Sequence, residues 1–303
     1  MTRDLDRRDL VLDTRLGHLA ATWCAPPDSA GRPVLVCIPG GTYTRGYFDL
    51  QVPGGGYSFV EHAGRAGFPS LTVDVLGTGD SARPDGGVTL QQQAAALTEA
   101  LHSLPDRVGT NGPLVAVGHS MGGYVTMVQQ AEAAPYRAVA ILGTTNGQVA
   151  PLDLPEEMIE AASTPAGRDA LFEQIAASMP EPYLPGDRSG LGSWFHLPDV
   201  PADALAADAT TLTVVPSACA AATTIPGVTV AEASRIDVPV FLAYGELDVS
   251  ADPHREPAVF TASSDVTLVV QPGSGHCHNL AGTRTALWDR LLGWVRAVAP
   301  GMS

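Results

Sequence analysis

The stretch Val117-Gly-His-Ser-Met-Gly-Gly-Tyr124 indicates the fold more directly than any other part of the sequence. It follows the apolar residues 114–117, which predict a buried strand, and it opens a helix predicted over 121–133. The pattern Gly118-x-Ser120-x-Gly122 is typical of a nucleophile elbow, where a serine occupies a strained turn and its neighbours have no room for side chains. The helix N-terminus favours negative charge that develops beside the hydroxyl. We therefore predict that Ser120 is a nucleophile, with an ordinary glycine-rich turn as the alternative.

Around this stretch, short apolar strands alternate with helices, which predicts an α/β fold with a mostly parallel sheet. The predicted strands are 33–38, 70–75, 114–117, 138–142, 238–243 and 266–270. The predicted helices are 58–65, 89–104, 121–133 and a closing helix with an apolar stripe at Leu287, Leu291, Val295 and Val298. The alternation stops between residues 148 and 237, where short amphipathic helices are predicted instead. We expect one core, residues 1–147 and 238–303, with a helical cap inserted at 148–237.

Composition excludes several classes of protein. Hydrophobic residues make up 45% of the 303 residues and charged residues 16%, as in a packed globular protein. A net charge of −15 argues against nucleic acid or an anionic membrane as partner. All 17 basic residues are arginine, so lysine Schiff-base and P-loop chemistry are excluded.

The sequence also gives expectations about location and the cysteines. The N-terminal residues mix acids and arginines without an apolar run, so we expect no secretory signal. No apolar run approaches the ~20 residues needed to span a bilayer, and we expect a cytoplasmic protein. The four cysteines have no metal-type or CxxC spacing, which favours free buried thiols.

Candidate partners for Ser120 follow two later strands. Tyr244-Gly-Glu-Leu-Asp248 places acids at the end of the strand 238–243, and Gly273-Ser-Gly-His276 follows the strand 266–270. Open α/β sheets bind ligands along the carboxyl ends of their strands. An acid followed by a histidine is also the chain order that accompanies a serine elbow in such folds. The sequence therefore predicts a serine, an acid and a histidine at one edge of the sheet.

The chain resembles the α/β-hydrolases from residue 33 to the C-terminus. The motifs that carry the resemblance are the elbow, Asp74-Val-Leu-Gly-Thr-Gly-Asp-Ser81, Gly245-Glu-Leu-Asp248 and Gly273-Ser-Gly-His276. The resemblance implies a triad of Ser120, His276 and Asp248, and it places a cap where the insertion lies. Glu246 is a weaker candidate for the acid and Asp252 a remote one.

His276 and His278 lie two residues apart, and different roles are expected for them. The resemblance implies that His276 is the base, because the glycine turn presents it. We expect His278 to point away and to be dispensable, so that His278→Ala keeps full activity, although it could line the pocket or bond to nearby backbone. A metal site at His276, Cys277 and His278 is not expected, since no further ligands follow at suitable spacing.

The oxyanion loop departs from the family pattern. The family usually has His-Gly after its third strand, whereas this chain has Pro39-Gly40-Gly41. The chemistry requires only backbone N–H groups, so we assign the oxyanion hole to Gly41 and Met121, with Thr42 as runner-up.

These assignments imply two-step acyl transfer by a serine hydrolase without metal or organic cofactor. The expected partner is a bulky hydrophobic ester or lactone, and the chain is similar to lactone-hydrolysing members such as those that open zearalenone. Other readings are a C–C bond hydrolase of ring-fission products and a small-molecule receptor, while the possibility of a homo-oligomer stays open. The candidate substrate-binding residues are Thr42, Tyr43, Tyr183, Trp194, Phe195, His196 and His278, with Tyr47 and Phe48 as further pocket residues.

Overall fold

The structure is a computed structural model that describes residues 4–301. Its strands are β1 (Asp6–Thr14), β2 (Gly17–Ala25), β3 (Val34–Ile38), β4 (Ser70–Val73), β5 (Leu114–His119), β6 (Ala138–Leu142), β7 (Tyr183–Leu184), β8 (Val215–Pro216), β9 (Val240–Gly245) and β10 (Val266–Gln271). Its helices are α1 (Phe59–Arg65), α2 (Leu90–His102), α3 (Leu104–Val108), α4 (Met121–Ala133), α5 (Glu156–Ala161), α6 (Pro165–Ala177), α7 (Gly192–Phe195), α8 (Ala202–Ala209), α9 (Ser217–Thr223), α10 (Val230–Ala233) and α11 (Arg284–Val298). Short 3₁₀ turns lie at Arg45–Phe48, Pro253–Val259 and His278–Leu280.

Eight strands form one sheet in the order β1-β2-β4-β3-β5-β6-β9-β10. The pairs β1–β2 and β2–β4 are antiparallel, and every pair from β4 to β10 is parallel. Helices cover both faces, so the predicted α/β-hydrolase architecture with a mostly parallel sheet is confirmed. The elbow lies near the middle of this sheet, between β5 and α4.

Both faces of the sheet are buried, which explains why its central strands are continuously apolar. In β3, Val34, Val36 and Ile38 face the core that α2 and α4 cover, while Leu35 and Cys37 face the core that α1 and α11 cover. All five residues are fully buried. At ~25 cal/mol per Å² of apolar area, such a two-sided core is the main source of folding free energy.

Local signals explain where the helices begin. Thr89 caps α2 through a capping box with Gln92, as the sequence predicted for its start. α2 ends at His102, and Pro105 lies in the first turn of the separate helix α3, where its missing N–H costs nothing. The apolar stripe of α11 is buried at Leu287, Leu291 and Val295.

Two findings add to the sequence-based assignment. A hairpin of β1 and β2, for which no strand was predicted, forms one edge of the sheet. Residues 148–237 contain helices α5–α10 and a small antiparallel pair, β7–β8, between β6 and β9.

Within residues 4–301, no helix is both long enough and apolar enough to cross a lipid bilayer.

Candidate active site

Ser120 occupies the sharp turn between β5 and α4. Its backbone has φ 52° and ψ −119°, which a non-glycine residue adopts only under strain. The Ser120 amide donates to Leu142 O at 2.8 Å, and Thr144 Oγ1 donates to Ser120 O at 2.9 Å, so β6 and the loop that follows it hold the turn. The Ser120 side chain is half-buried and lines a cavity. It is therefore available to a bound molecule.

The glycines of the elbow are required by close packing. A Cβ on Gly118 would lie 2.4 Å from Thr126 Oγ1, and one on Gly122 would lie 2.1 Å from Ile38 O. Either contact is far shorter than atoms tolerate, so a side chain on Gly118 would push α4 away from β5, and one on Gly122 would push α4 away from β3. Neither position therefore has room for a side chain, as the elbow pattern predicts.

Asp248 and His276 form a buried pair on adjacent strand ends. His276 Nδ1 lies 2.6 Å from Asp248 Oδ1, and both side chains are almost fully buried. An ionised carboxylate only accepts hydrogen bonds, so Nδ1 carries the proton and Nε2 of neutral His276 is left as an acceptor. This is the tautomer that a general base needs.

The ionised form of Asp248 is strongly stabilised. Burial opposes ionisation, but the charges and hydrogen bonds of His276 and His278 outweigh it and hold the pKa of Asp248 well below its usual range. The carboxylate also accepts the Gly245 amide at 2.8 Å and the Val249 amide at 2.7 Å. The negative charge is therefore fixed beside His276 at neutral pH.

The expectation that His278 points away is wrong. His278 Nε2 donates to Asp248 Oδ2 at 2.9 Å, and the ring is 1% exposed. The 3₁₀ turn at His278–Leu280 follows His276 directly, so the backbone curls back instead of extending. His278 therefore supports the carboxylate from its second oxygen, and it does not line the cavity at Ser120.

The other candidate acids lie elsewhere. Glu246 is exposed and accepts the Gly273 amide at 2.9 Å, on the outer side of the turn that carries His276. Asp252 is exposed at the start of the 3₁₀ turn Pro253–Val259. Asp248 is the candidate acid that contacts His276.

A cavity of about 190 Å³ contains both Ser120 and His276. Its remaining walls are mostly apolar and come from the elbow helix, the β6 and β9 loops and the inserted residues 148–237. The wall residues are Tyr124, Gly143, Val149, Pro151, Leu152, Leu191, Trp194, Phe195, Thr223, Thr224 and Val249. None of them carries a formal charge.

The predicted substrate-binding residues divide into two groups. Trp194 and Phe195 line the cavity. The remaining candidates do not line it, so the prediction is wrong for Thr42, Tyr43, Tyr183, His196 and His278. Tyr43 and His278 are buried, and Tyr183 donates to Pro84 O at 2.7 Å. Tyr47 and Phe48 are also buried in the core rather than in the cavity walls.

The predicted oxyanion loop passes over the elbow. A Cβ on Gly40 would lie 2.9 Å from Ser120 Cβ, and one on Gly41 would lie 3.9 Å from Met121 Sδ. The loop therefore brings Gly41 next to Met121, the first residue of α4. The Met121 amide belongs to a helix N-terminus, where N–H groups have no intrahelical partner.

Two residues that support the site were not identified from the sequence. His119 Nε2 lies 2.9 Å from the carbonyl of His276, and burial lowers the pKa of His119 well below its usual value, so a neutral ring holds the loop of the base. Gly143, at φ 58°, leaves room for the His276 ring, since a Cβ there would lie 2.9 Å from Nδ1. Only the position of His119 inside the elbow motif could have signalled its role.

The geometry can be compared with known proteins. A model of the alpha/beta hydrolase family matches residues 35–286. No curated protein matches the chain. Among solved structures, a thermophilic esterase from Thermogutta terrifontis is 19% identical with a TM-score of 0.61, covering 97% of this chain and 99% of that one.

Other solved structures share the fold and differ in chemistry. The epoxide hydrolase CorEH is 17% identical with a TM-score of 0.60, covering 97% of this chain and 99% of its own. A bromoperoxidase from Bacillus anthracis is 15% identical with a TM-score of 0.62, covering 95% and 100%. At these identities the likeness shows the fold alone.

The fold and the family match define the class: the chain belongs to the alpha/beta hydrolase family. It is thus a hydrolase by fold.

Proposed function

We propose that the protein is a serine hydrolase that cleaves a carboxylic ester or lactone of a neutral, hydrophobic substrate. The observation that carries the proposal is the buried Asp248–His276 pair, whose histidine shares one cavity with a strained Ser120. A serine hydroxyl is a poor nucleophile without such a base. The buried pair and the shared cavity support the roles of a Ser-His-Asp triad, in addition to the sequence pattern.

The proposed reaction has two steps. Ser120 Oγ attacks the ester carbonyl while His276 Nε2 takes its proton, and Asp248 stabilises the resulting imidazolium. The Gly41 and Met121 amides hold the oxyanion, and His276 returns the proton to the leaving alcohol. Water, deprotonated by His276, then attacks the acyl-enzyme, and the carboxylic acid leaves with Ser120 restored.

The cavity supports a neutral substrate of moderate size. No carboxylate or arginine lines it, and its apolar walls suit an alkyl or aromatic group. Its volume of about 190 Å³ is below the ~300–1,000 Å³ typical of sites for drug-sized ligands. A macrolactone of the zearalenone type would require the inserted residues 148–237 to move, so small esters and lactones are favoured.

Two arginines of the inserted segment, Arg168 and Arg188, bond within the protein, which argues against an acidic ring-fission substrate. Arg168 donates to Ala162 O at 2.8 Å, and Arg188 pairs with Asp208 and Thr42. Neither lines the cavity, so neither is placed to bind a substrate carboxylate. A receptor that does not turn over its ligand has no need for a complete triad.

The test is steady-state turnover of a small panel by wild type and Ser120→Ala. The panel contains short and long acyl esters, simple lactones, an aromatic macrolactone and a ring-fission diketone. We expect cleavage of a neutral ester or lactone that depends on Ser120, with the Ser103→Ala variant, remote at the end of α2, as active as wild type. Cleavage of the diketone alone, or tight binding of a ligand to both proteins without turnover, would contradict the proposal.

A further inference from the structure

We propose that Arg188 is a positioning residue that fixes the oxyanion loop, residues 39–43, by holding Thr42. The inference rests on the proposed function, because an oxyanion loop matters only if Ser120 forms a tetrahedral intermediate. Arg188 lies in the inserted segment, far from the loop in sequence, and it does not line the cavity.

The loop needs an external support because Thr42 is strained. Its φ is 67°, in the left-handed region that β-branched residues rarely enter. Such a conformation persists only where surrounding contacts determine it. Thr42 lies inside a turn in which the Tyr43 amide donates to Gly40 O at 3.3 Å. The Gly40 carbonyl and the Gly41 N–H, the proposed oxyanion donor, share one planar peptide, so this turn through Thr42 sets the direction of the donor.

Arg188 contacts the strained residue through both its main chain and its side chain. Nη2 donates to Thr42 O at 2.6 Å, and Nε donates to Thr42 Oγ1 at 3.1 Å. The guanidinium carbon also lies 3.4 Å from the ring centroid of Tyr43, the next residue. A planar guanidinium can make these contacts together, whereas an ammonium cannot.

The charge of Arg188 is balanced inside the protein. Nη1 donates to Asp208 Oδ2 at 2.8 Å, and the two side chains are 10% and 6% exposed. Nη2 also donates to Thr211 Oγ1 at 3.3 Å. The buried guanidinium donates through Nε, Nη1 and Nη2 to groups of the protein, which suits it to fixing geometry and not to recruiting a charged substrate.

Backbone contacts join the same two regions. Thr213 N donates to Thr42 O at 3.0 Å, and Thr44 N donates to Thr211 O at 2.9 Å. Tyr43 OH lies 3.1 Å from Cys277 Sγ, next to His276. The oxyanion loop, the inserted segment and the loop of the base therefore form one connected cluster, and Arg188 is its charged centre.

The experiment compares Arg188→Met with Arg168→Met, a matched change in the same segment away from the loop. A double variant, Arg188→Met with Asp208→Asn, removes the ion pair without leaving a buried charge. Arg188→Lys keeps the positive charge but lacks the planar guanidinium. Each is assayed with an ester that wild type cleaves, and with a trifluoromethyl ketone that adds to Ser120 and its matching alcohol that does not.

We expect kcat to fall about 10²-fold in the single and double methionine variants, the usual effect of losing one oxyanion donor. KM and the affinity for the alcohol should stay near wild type, while the affinity for the trifluoromethyl ketone falls in parallel with kcat/KM. Arg188→Lys should recover part of the loss, and Arg168→Met should match wild type.

A folded double variant with wild-type kcat and ketone affinity would overturn the inference, and so would a change confined to KM. Those outcomes leave the proposed function standing, because wild type still turns over. If wild type neither cleaves an ester nor adds the ketone at Ser120, the proposed function fails and this inference fails with it.

Discussion

Asp248 is contacted by two imidazoles, and each reaches a different carboxylate oxygen. His276 donates through Nδ1 and His278 through Nε2, so the acid is held from both sides. The sequence motif predicted the first contact and not the second, because the motif ends at His276 and the following 3₁₀ turn carries no recognisable signal. The resemblance thus predicted the contact between Asp248 and His276, whereas the contact of His278 is visible only in three dimensions.

The role of Asp248 can be tested by an isosteric change. Asp248→Asn keeps the shape but cannot fix the tautomer or stabilise the imidazolium, so we expect kcat to fall about 10⁴-fold at neutral pH. Ester turnover measures the loss. Glu246→Gln is the matched control and should stay near wild type, since Glu246 is exposed and its carboxylate accepts the Gly273 amide rather than contacting His276. Equal losses in the two variants would contradict the assignment.

The contact of His278 changes the expectation for its removal. His278→Ala removes one of two buried donors to Asp248 Oδ2 and leaves the Gly245 amide as the other, so we expect a loss of about 1–3 kcal/mol in the free energy of unfolding. Turnover should also fall rather than stay complete. Urea denaturation measures the stability, with His62→Ala as the control, since the His62 side chain is 27% exposed and its pair with Asp289 contributes at most ~1 kcal/mol. Identical stability in both variants would contradict this reading.

Among the elements, the elbow connects sequence to fold most tightly. Most strands and long helices were predictable, because a sheet buried on both faces requires continuous apolar strands and because caps such as Thr89 mark the helix starts. The β1–β2 hairpin was not, since β1 is an exposed edge strand with acids and arginines along it. The Arg188 contacts were equally invisible, because they join residues 146 positions apart.

The close packing of the elbow predicts a steep cost for a single methyl group. Gly122→Ala would place Cβ 2.1 Å from Ile38 O, so we expect a loss of at least ~1–3 kcal/mol in the free energy of unfolding, with lower turnover. Thermal or urea unfolding measures it. Gly293→Ala, in the exposed middle of α11 with no atom near its Cβ, is the control and should gain ~0.5–1 kcal/mol. If neither variant changed the free energy of unfolding, the packing around Gly122 would be less close than its distance to Ile38 O indicates.

Across the whole molecule, all four cysteines are free and buried, as the sequence predicted. Burial raises the pKa of the Cys24 thiol to about 11 and the pKa of the Cys219 thiol to about 12. Both are therefore neutral thiols near pH 8, and the thiolate that would react is absent. The thiols contribute to packing, and the proposed mechanism does not use them.

This state of the cysteines predicts their reactivity. Native protein near pH 8 should show no fast reaction with Ellman's reagent. Urea-unfolded protein should release four equivalents of the coloured thiolate from the reagent, one for each cysteine. Unfolded cysteine ionises near ~8.5, so the unfolded chain loses protons before the folded one, and stability should decline as pH rises from about 8.5 toward 11. A thiol that reacts rapidly in the native protein would contradict the burial of that residue.

The proposed mechanism requires that Ser120 forms an acyl-enzyme with His276 as its base. Intact-protein mass spectrometry after rapid quenching of wild type with an activated ester, followed by peptide mapping, detects this intermediate. We expect a mass gain equal to one acyl group on the peptide that contains Ser120, no gain in Ser120→Ala, and a greatly slowed gain in His276→Ala. An acyl group on another residue, or ester turnover that persists in Ser120→Ala, would contradict the account.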